Sequence, residues 1–162
     1  MTTTAVDEFE PAHAGSWTRA DRREANHEAA HAVVAVLCGL TVCECRIDRP
    51  DSPWCCGFTR VEPDVDNLRG HLLSTIAGNI LYGGPIGWPP RLGVGGDEGV
   101  AAIIVERVAM DGAAWQQAHD EVINLLKANK AAMRAVSAAL LERGALRGAE
   151  VHRLVAEAAT SP

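Results

Sequence analysis

Aromatic residues are scarce: one tyrosine, two phenylalanines and four tryptophans stand in 162 residues. A core that cannot be filled by large rings must be filled by aliphatic and small side chains, and Ala, Val and Leu are plentiful. That mix favours helices packed at short range. Basic clusters are also missing. The chain carries 15 Lys and Arg against 21 Asp and Glu, a formal net charge of -6. Phosphate backbones are held by clustered cations, so the composition argues against nucleic acid as a partner. Long apolar runs are absent too. The longest near the start, Ala29 to Leu40, is interrupted by His31 and is too short to span a bilayer. Met1 to Ala14 is polar and acidic and lacks the apolar segment of a secretory signal. The expectation is a cytoplasmic protein without a membrane span. In that reducing compartment five cysteines are expected as free thiols, which suits their odd number.

What is present fits one domain with a single core. Residues 1–15 have no apolar period and are expected to be a disordered tail, with the folded domain over 16–162. The pattern then predicts a helix from Thr18 to Cys38, with Thr18 as N-cap, Asp21 in a capping-box position and Gly39 as its stop. Two strand-like runs follow, Thr41 to Ile47 and Cys55 to Val61, joined by a turn over residues 48–53 as a β-hairpin. Further helices are predicted over Val65 to Tyr82, Asp97 to Met110, Ala114 to Ala128, Ala131 to Glu142 and Leu146 to Ala158. Gly83 and Gly84 end the first of these, and a Gly/Pro-rich loop precedes Asp97. The fold class is mainly α with a small antiparallel β-sheet.

The sharpest local signal is His27-Glu28-Ala29-Ala30-His31 inside the first helix. Residues four apart share a helix face, so both imidazoles can reach one metal ion. Glu28 follows the first ligand, where a carboxylate can take the proton of a metal-bound water and pass it to a leaving amine. The bland alternative is two polar residues on an amphipathic helix. A buried helix avoids two neighbouring imidazoles unless something satisfies them, which favours the metal reading.

A catalytic zinc takes three protein ligands and leaves a position for water. The extended pattern that supplies a third histidine on the same helix fails, because Val34 and Leu37 stand at the positions concerned. His71, His119 and His152 have suitable chemistry, as do the carboxylates of Glu44, Glu62, Asp97 and Glu98. Asp97 is the most attractive, since it follows a flexible loop and opens a helix, although Asp there also serves as a plain N-cap.

Several segments resemble the peptidase domain of FtsH-type zinc proteases. They are HEAAHAVVAVL at 27–37, ECRIDRP with CCGFTRVEP, STIAGNILYGG at 74–84, GVGGDEGVAAIIVERVAMDG, and LLERGALRGAEVHRLV at 140–155. Together they cover about residues 20 to 157 in the family's order. The resemblance implies a zincin-like fold, one Zn2+ held by His27, His31 and Asp97, and Glu28 as the catalytic residue. Three departures accompany it. Ala30 replaces a glycine. Asn79, Ile80 and Leu81 follow Gly78 where the family's helix carries Arg and Glu, which implies a lost polar support or subunit contact. No GxxxxGK[ST] loop for an ATPase occurs. A stand-alone domain of this kind is implied to cut peptides or unfolded protein segments. A separate ATPase or adaptor for delivery, and assembly into a homo-oligomer, stay open.

Two further features have competing readings. Cys43, Cys45, Cys55 and Cys56 could form a second metal site, but strand cysteines more often pack as small hydrophobes. Trp54, Trp88 and the Pro89-Pro90 pair could shape a cleft or simply cover a core edge. The C-terminal charges, among them Arg143, Glu150 and Arg153, read as a solvated helix face. Three functions compete: an ATP-independent zinc endopeptidase; a zinc-bound regulatory or binding protein of the same fold with little peptidase activity; and a helical interaction module without metal. An intact Glu28 favours the first, since a structural zinc site needs no general base.

Overall fold

A computed structural model describes residues 18–47, 57–82 and 86–160. The expected N-terminal tail, the turn at 48–53, Trp54, Cys55, Cys56, Gly83 and Gly84 lie outside the described residues. Among those described, the elements are α1 (Arg19–Leu37), β1 (Val42–Arg46), β2 (Phe58–Val61), α2 (Leu68–Tyr82) and α3 (Gly96–Arg107). They continue with α4 (Gly112–Ala128), α5 (Lys130–Arg143), β3 (Ala145–Arg147) and α6 (Gly148–Thr160). The chain is mainly helical with a three-stranded antiparallel sheet in the order β2-β1-β3.

α1 is the central element. Thr18 caps it, accepting from the Asp21 amide while the Asp21 carboxylate accepts from the Thr18 amide. This reciprocal pairing satisfies two of the donors that every helix start leaves open. Its far end closes at Gly39, whose φ of 78° lies in the left-handed region. Ala25, Ala29, Ala30, Ala32, Val33 and Val34 are all fully buried. Small side chains let neighbours approach from several sides, so α1 packs on α2, α5 and the sheet at once. Leu72 and Ile76 of α2, Met133 and Leu140 of α5 and Leu146 of β3 are buried aliphatic side chains in the same core.

The hairpin forms with Cys45 opposite Thr59 and Arg46 opposite Phe58, and the register shifts between Val42 and Glu44. Three features depart from the sequence-based expectation. Gly57, expected within the second strand, lies outside β2, and residues 145–147, the last two of them expected in the final helix, form a third strand on β1. The strand exists because Gly144 turns the chain at φ 77° and Gly148 starts α6 against the Val42 carbonyl, with no room for a Cβ. α3 ends at Arg107 rather than Met110, and Ala109 sits at φ 49° in the following turn. No helix of the described residues is long and apolar enough to cross a membrane.

Candidate metal centre

One turn of α1 carries His27 and His31 into a cavity of about 560 Å³. Their Nε2 atoms are 3.0 Å apart, with ring centroids 4.6 Å apart and planes at 80°. Asp97, in the first turn of α3, brings its Oδ2 to 3.3 Å from each Nε2. A tetrahedral ion bound at about 2.0–2.1 Å spaces its ligand atoms by about 3.3–3.4 Å. The two His–Asp separations match that spacing and the His–His separation is slightly shorter. These three residues form a group able to hold a metal ion.

The local architecture presents lone pairs to the centre. His31 directs Nδ1 at the Ser74 carbonyl, 2.7 Å away, and Ser74 Oγ donates back to the His31 carbonyl at 3.0 Å. An Nδ1–H held by a carbonyl leaves Nε2 as the ligand nitrogen. Gly78 of α2 lies across from both rings. A Cβ on Gly78 would collide with His31 Nε2 and approach His27 Cε1 and Nδ1 to 2.6 and 2.7 Å. The two rings can lie this close to α2 only because the residue is glycine.

His31 and Asp97 are electrostatically coupled. Burial pulls against charge on His31, but the hydrogen bond and charge of Asp97, with Glu28 adding to them, raise its pKa above the ordinary imidazole value. Burial also opposes ionisation of Asp97, yet its contacts with His27 and His31 outweigh that and hold the carboxyl well below the usual carboxylate range. The two shifts are reciprocal: the carboxylate favours positive charge on the imidazole beside it, and the imidazoles favour the ionised carboxylate.

Glu28 lies beside the triad, only 3% exposed, and lines the same cavity. Burial raises its carboxyl pKa, while His31, His27 and a hydrogen bond from Thr59 pull the other way. Thr59 Oγ1 stands 2.9 Å from Glu28 Oε2 and 3.0 Å from the Glu28 carbonyl. Gly57 passes so close behind Glu28 that a Cβ there would lie 2.5 Å from Glu28 Cγ. The carboxylate is thus fixed from two sides by β2 and the residue before it.

The other sequence candidates are placed elsewhere or engaged differently. His71 lines the cavity, but its Nε2 accepts from the Asp64 amide at 2.9 Å. His119 is buried against Trp115, and His152 Nε2 accepts from the Val42 amide at 3.3 Å. Glu98 pairs with Arg91, Glu44 with Arg60, and Glu62 is exposed. Trp88 does not line the cavity; it packs on Trp115 with ring centroids 5.8 Å apart. Arg143 and Arg153 form surface ion pairs with Glu150 and Glu157, in keeping with a solvated face. Sequence reasoning missed Thr59 and Ser74. Both act through contacts between elements, for which spacing along the chain carries no signal.

Cys45 illustrates the same limit. It is fully buried, with Sγ 3.6 Å from the Glu28 carbonyl and 3.2 Å from Thr59 Oγ1. Burial pushes its thiol up to about 12, with the Thr59 contact opposing. The folded value exceeds the unfolded one, so this group's stabilisation is whole below the unfolded thiol range. It is lost as pH rises from there toward 12, by about 1.4 kcal/mol per pH unit. Native Cys45 should therefore resist iodoacetamide at pH 8.5 and react only on unfolding. Peptide mapping by mass spectrometry reads this directly, and labelling at the unfolded rate would show the thiol is not enclosed.

Comparison of the chain with protein-family models and with curated proteins finds no match.

Proposed function

We propose that this protein is an ATP-independent zinc metalloendopeptidase with a zincin-like site, a relative of the FtsH-type peptidase domain. The observation that carries the reading is the placement of Glu28 in one cavity with the His27, His31 and Asp97 donor group. Two imidazoles and a carboxylate suit zinc and leave a fourth position open. Bound there, zinc supplies Lewis acidity and lowers the pKa of a bound water. The chain's own residues do the rest. His27, His31 and Asp97 would hold the ion. Glu28 accepts a proton on Oε1 or Oε2 and later delivers it to the departing amine. Thr59 holds the Glu28 carboxylate in place through Oε2.

Substrate presentation falls to β2. Among the described residues it is an edge strand, and Phe58, Thr59 and Val61 line the cavity. An extended peptide can pair along it by main-chain hydrogen bonds. That geometry accepts unfolded or flexible segments and rejects folded domains, in which local opening costs several kcal/mol.

The test uses purified protein alone. About one zinc per chain is expected by metal analysis. Cleavage is expected for a destabilised mutant domain and not for its stable parent, with no change on adding ATP. Absence of bound zinc, or equal rates on both substrates, would overturn the reading.

A further inference from the structure

Of the three donor residues, Asp97 is held from the least secure base. The imidazoles rise from α1, which is packed on several sides. Asp97 comes from α3, which rests on α2 and has little contact with other elements. Its side chain is 29% exposed, and a carboxylate so placed has free torsions unless something fixes it.

Asn79 supplies the fixing contact. It is the residue after Gly78 on α2, and its Nδ2 donates to Asp97 Oδ2 at 2.6 Å. That is the same oxygen that faces both imidazole nitrogens. The amide must present nitrogen here, because its oxygen would meet a carboxylate oxygen with no proton between them. The three contacts to Oδ2 are not equivalent. A histidine acting as a ligand through Nε2 has no proton there, so neither imidazole can donate to Asp97 once it binds an ion. The Asn79 amide keeps its proton in either state. As a neutral donor it also leaves the aspartate charge available to a cation.

We propose that Asn79 is a positioning residue that holds the Asp97 carboxylate in its ligating orientation and thereby sets metal affinity. The inference rests on the metal reading given above. It also revises the expectation that this helix has lost its polar support: Asn79 provides one, aimed at the third ligand.

The experiment is a Zn2+ titration against a competing chelator with the full chain. Four proteins are compared: wild type, Asn79→Leu, Asp97→Ala and the double variant. Leucine keeps the bulk of asparagine and removes the donor. Asn79→Leu is expected to weaken Zn2+ binding about 10- to 100-fold, the range for removing such supporting hydrogen bonds. In the Asp97→Ala background the same change is expected to do nothing, because its effect runs through Asp97. Thermal melts of the metal-free proteins check folding, and Asn79→Ala takes the place of the leucine variant if that one does not fold. Wild-type affinity in Asn79→Leu overturns the proposal, as does an equal loss in both backgrounds. A wild-type chain that takes up no Zn2+ has a different signature: it overturns the metal reading, and this proposal falls with it.

Discussion

Glu28→Gln is expected to retain zinc and to lose peptide cleavage by about 10²- to 10⁴-fold, the usual contribution of a positioned general base. The substitution is informative because so little else changes. Glutamine has the same size, and its amide oxygen can accept the Thr59 hydrogen bond that now reaches Oε2. The amide cannot take a proton from water at neutral pH. Stability should not fall, since a buried carboxyl whose pKa is raised by burial is replaced by a neutral group. Zinc content, thermal melting and turnover of a peptide library, measured together, separate the outcomes. A variant that cleaves as fast as wild type would show that Glu28 is not the base. A variant that loses zinc would show instead that the carboxylate serves the metal.

Gly78→Ala is expected to disable the proposed zinc site. In an ordinary helix interior this change stabilises by about 0.5–1 kcal/mol, because alanine has the better helix propensity. Here the added methyl would enter the space between α2 and the two imidazoles, against His31 Nε2 and His27 Cε1. Overpacking of that kind costs about 1–3 kcal/mol, so the sign of the stability change reverses. The rings can relieve the contact only by leaving the geometry that places their nitrogens 3.0 Å apart. Zinc affinity should therefore drop by at least about 100-fold, beyond what loss of one supporting hydrogen bond produces. A metal-free alanine variant more stable than wild type, with zinc affinity intact, would show that the imidazoles do not depend on this close approach.

Much of the scaffold was legible because its signals are local. A capping box, a glycine stop and an i, i+4 histidine pair are short-range features, and α1 follows from them. Helix α2 follows from Leu68, Leu72, Leu73, Ile76, Ile80 and Leu81 at helical spacing. β3 was not legible. Three residues between two helices become a strand because the flanking glycines bring them to the edge of β1, and nothing in Ala145, Leu146 or Arg147 announces that. The site divides in the same way. His27, Glu28 and His31 stand within five positions of one another and could be read from spacing. Asp97 was the most attractive of several candidates from its place after a loop and at a helix start, and a family resemblance strengthened it. Thr59, Ser74 and Asn79 act across gaps of 31, 43 and 18 positions. Such contacts depend on how helices and sheet pack, and no local pattern encodes them.

The weak seat of α3 has a consequence for the topology of the chain. An ion shared by α1 and α3 would be a cross-link between parts of the sequence separated by the hairpin, α2 and the Gly/Pro-rich loop. Bridging such distant points removes more freedom from the unfolded chain than bridging near ones. It would also tether an element that otherwise leans on one neighbour, much as a disulfide ties a loop in a secreted domain. In a chain whose described cysteines are free thiols, the metal would then be the staple as well as the reagent.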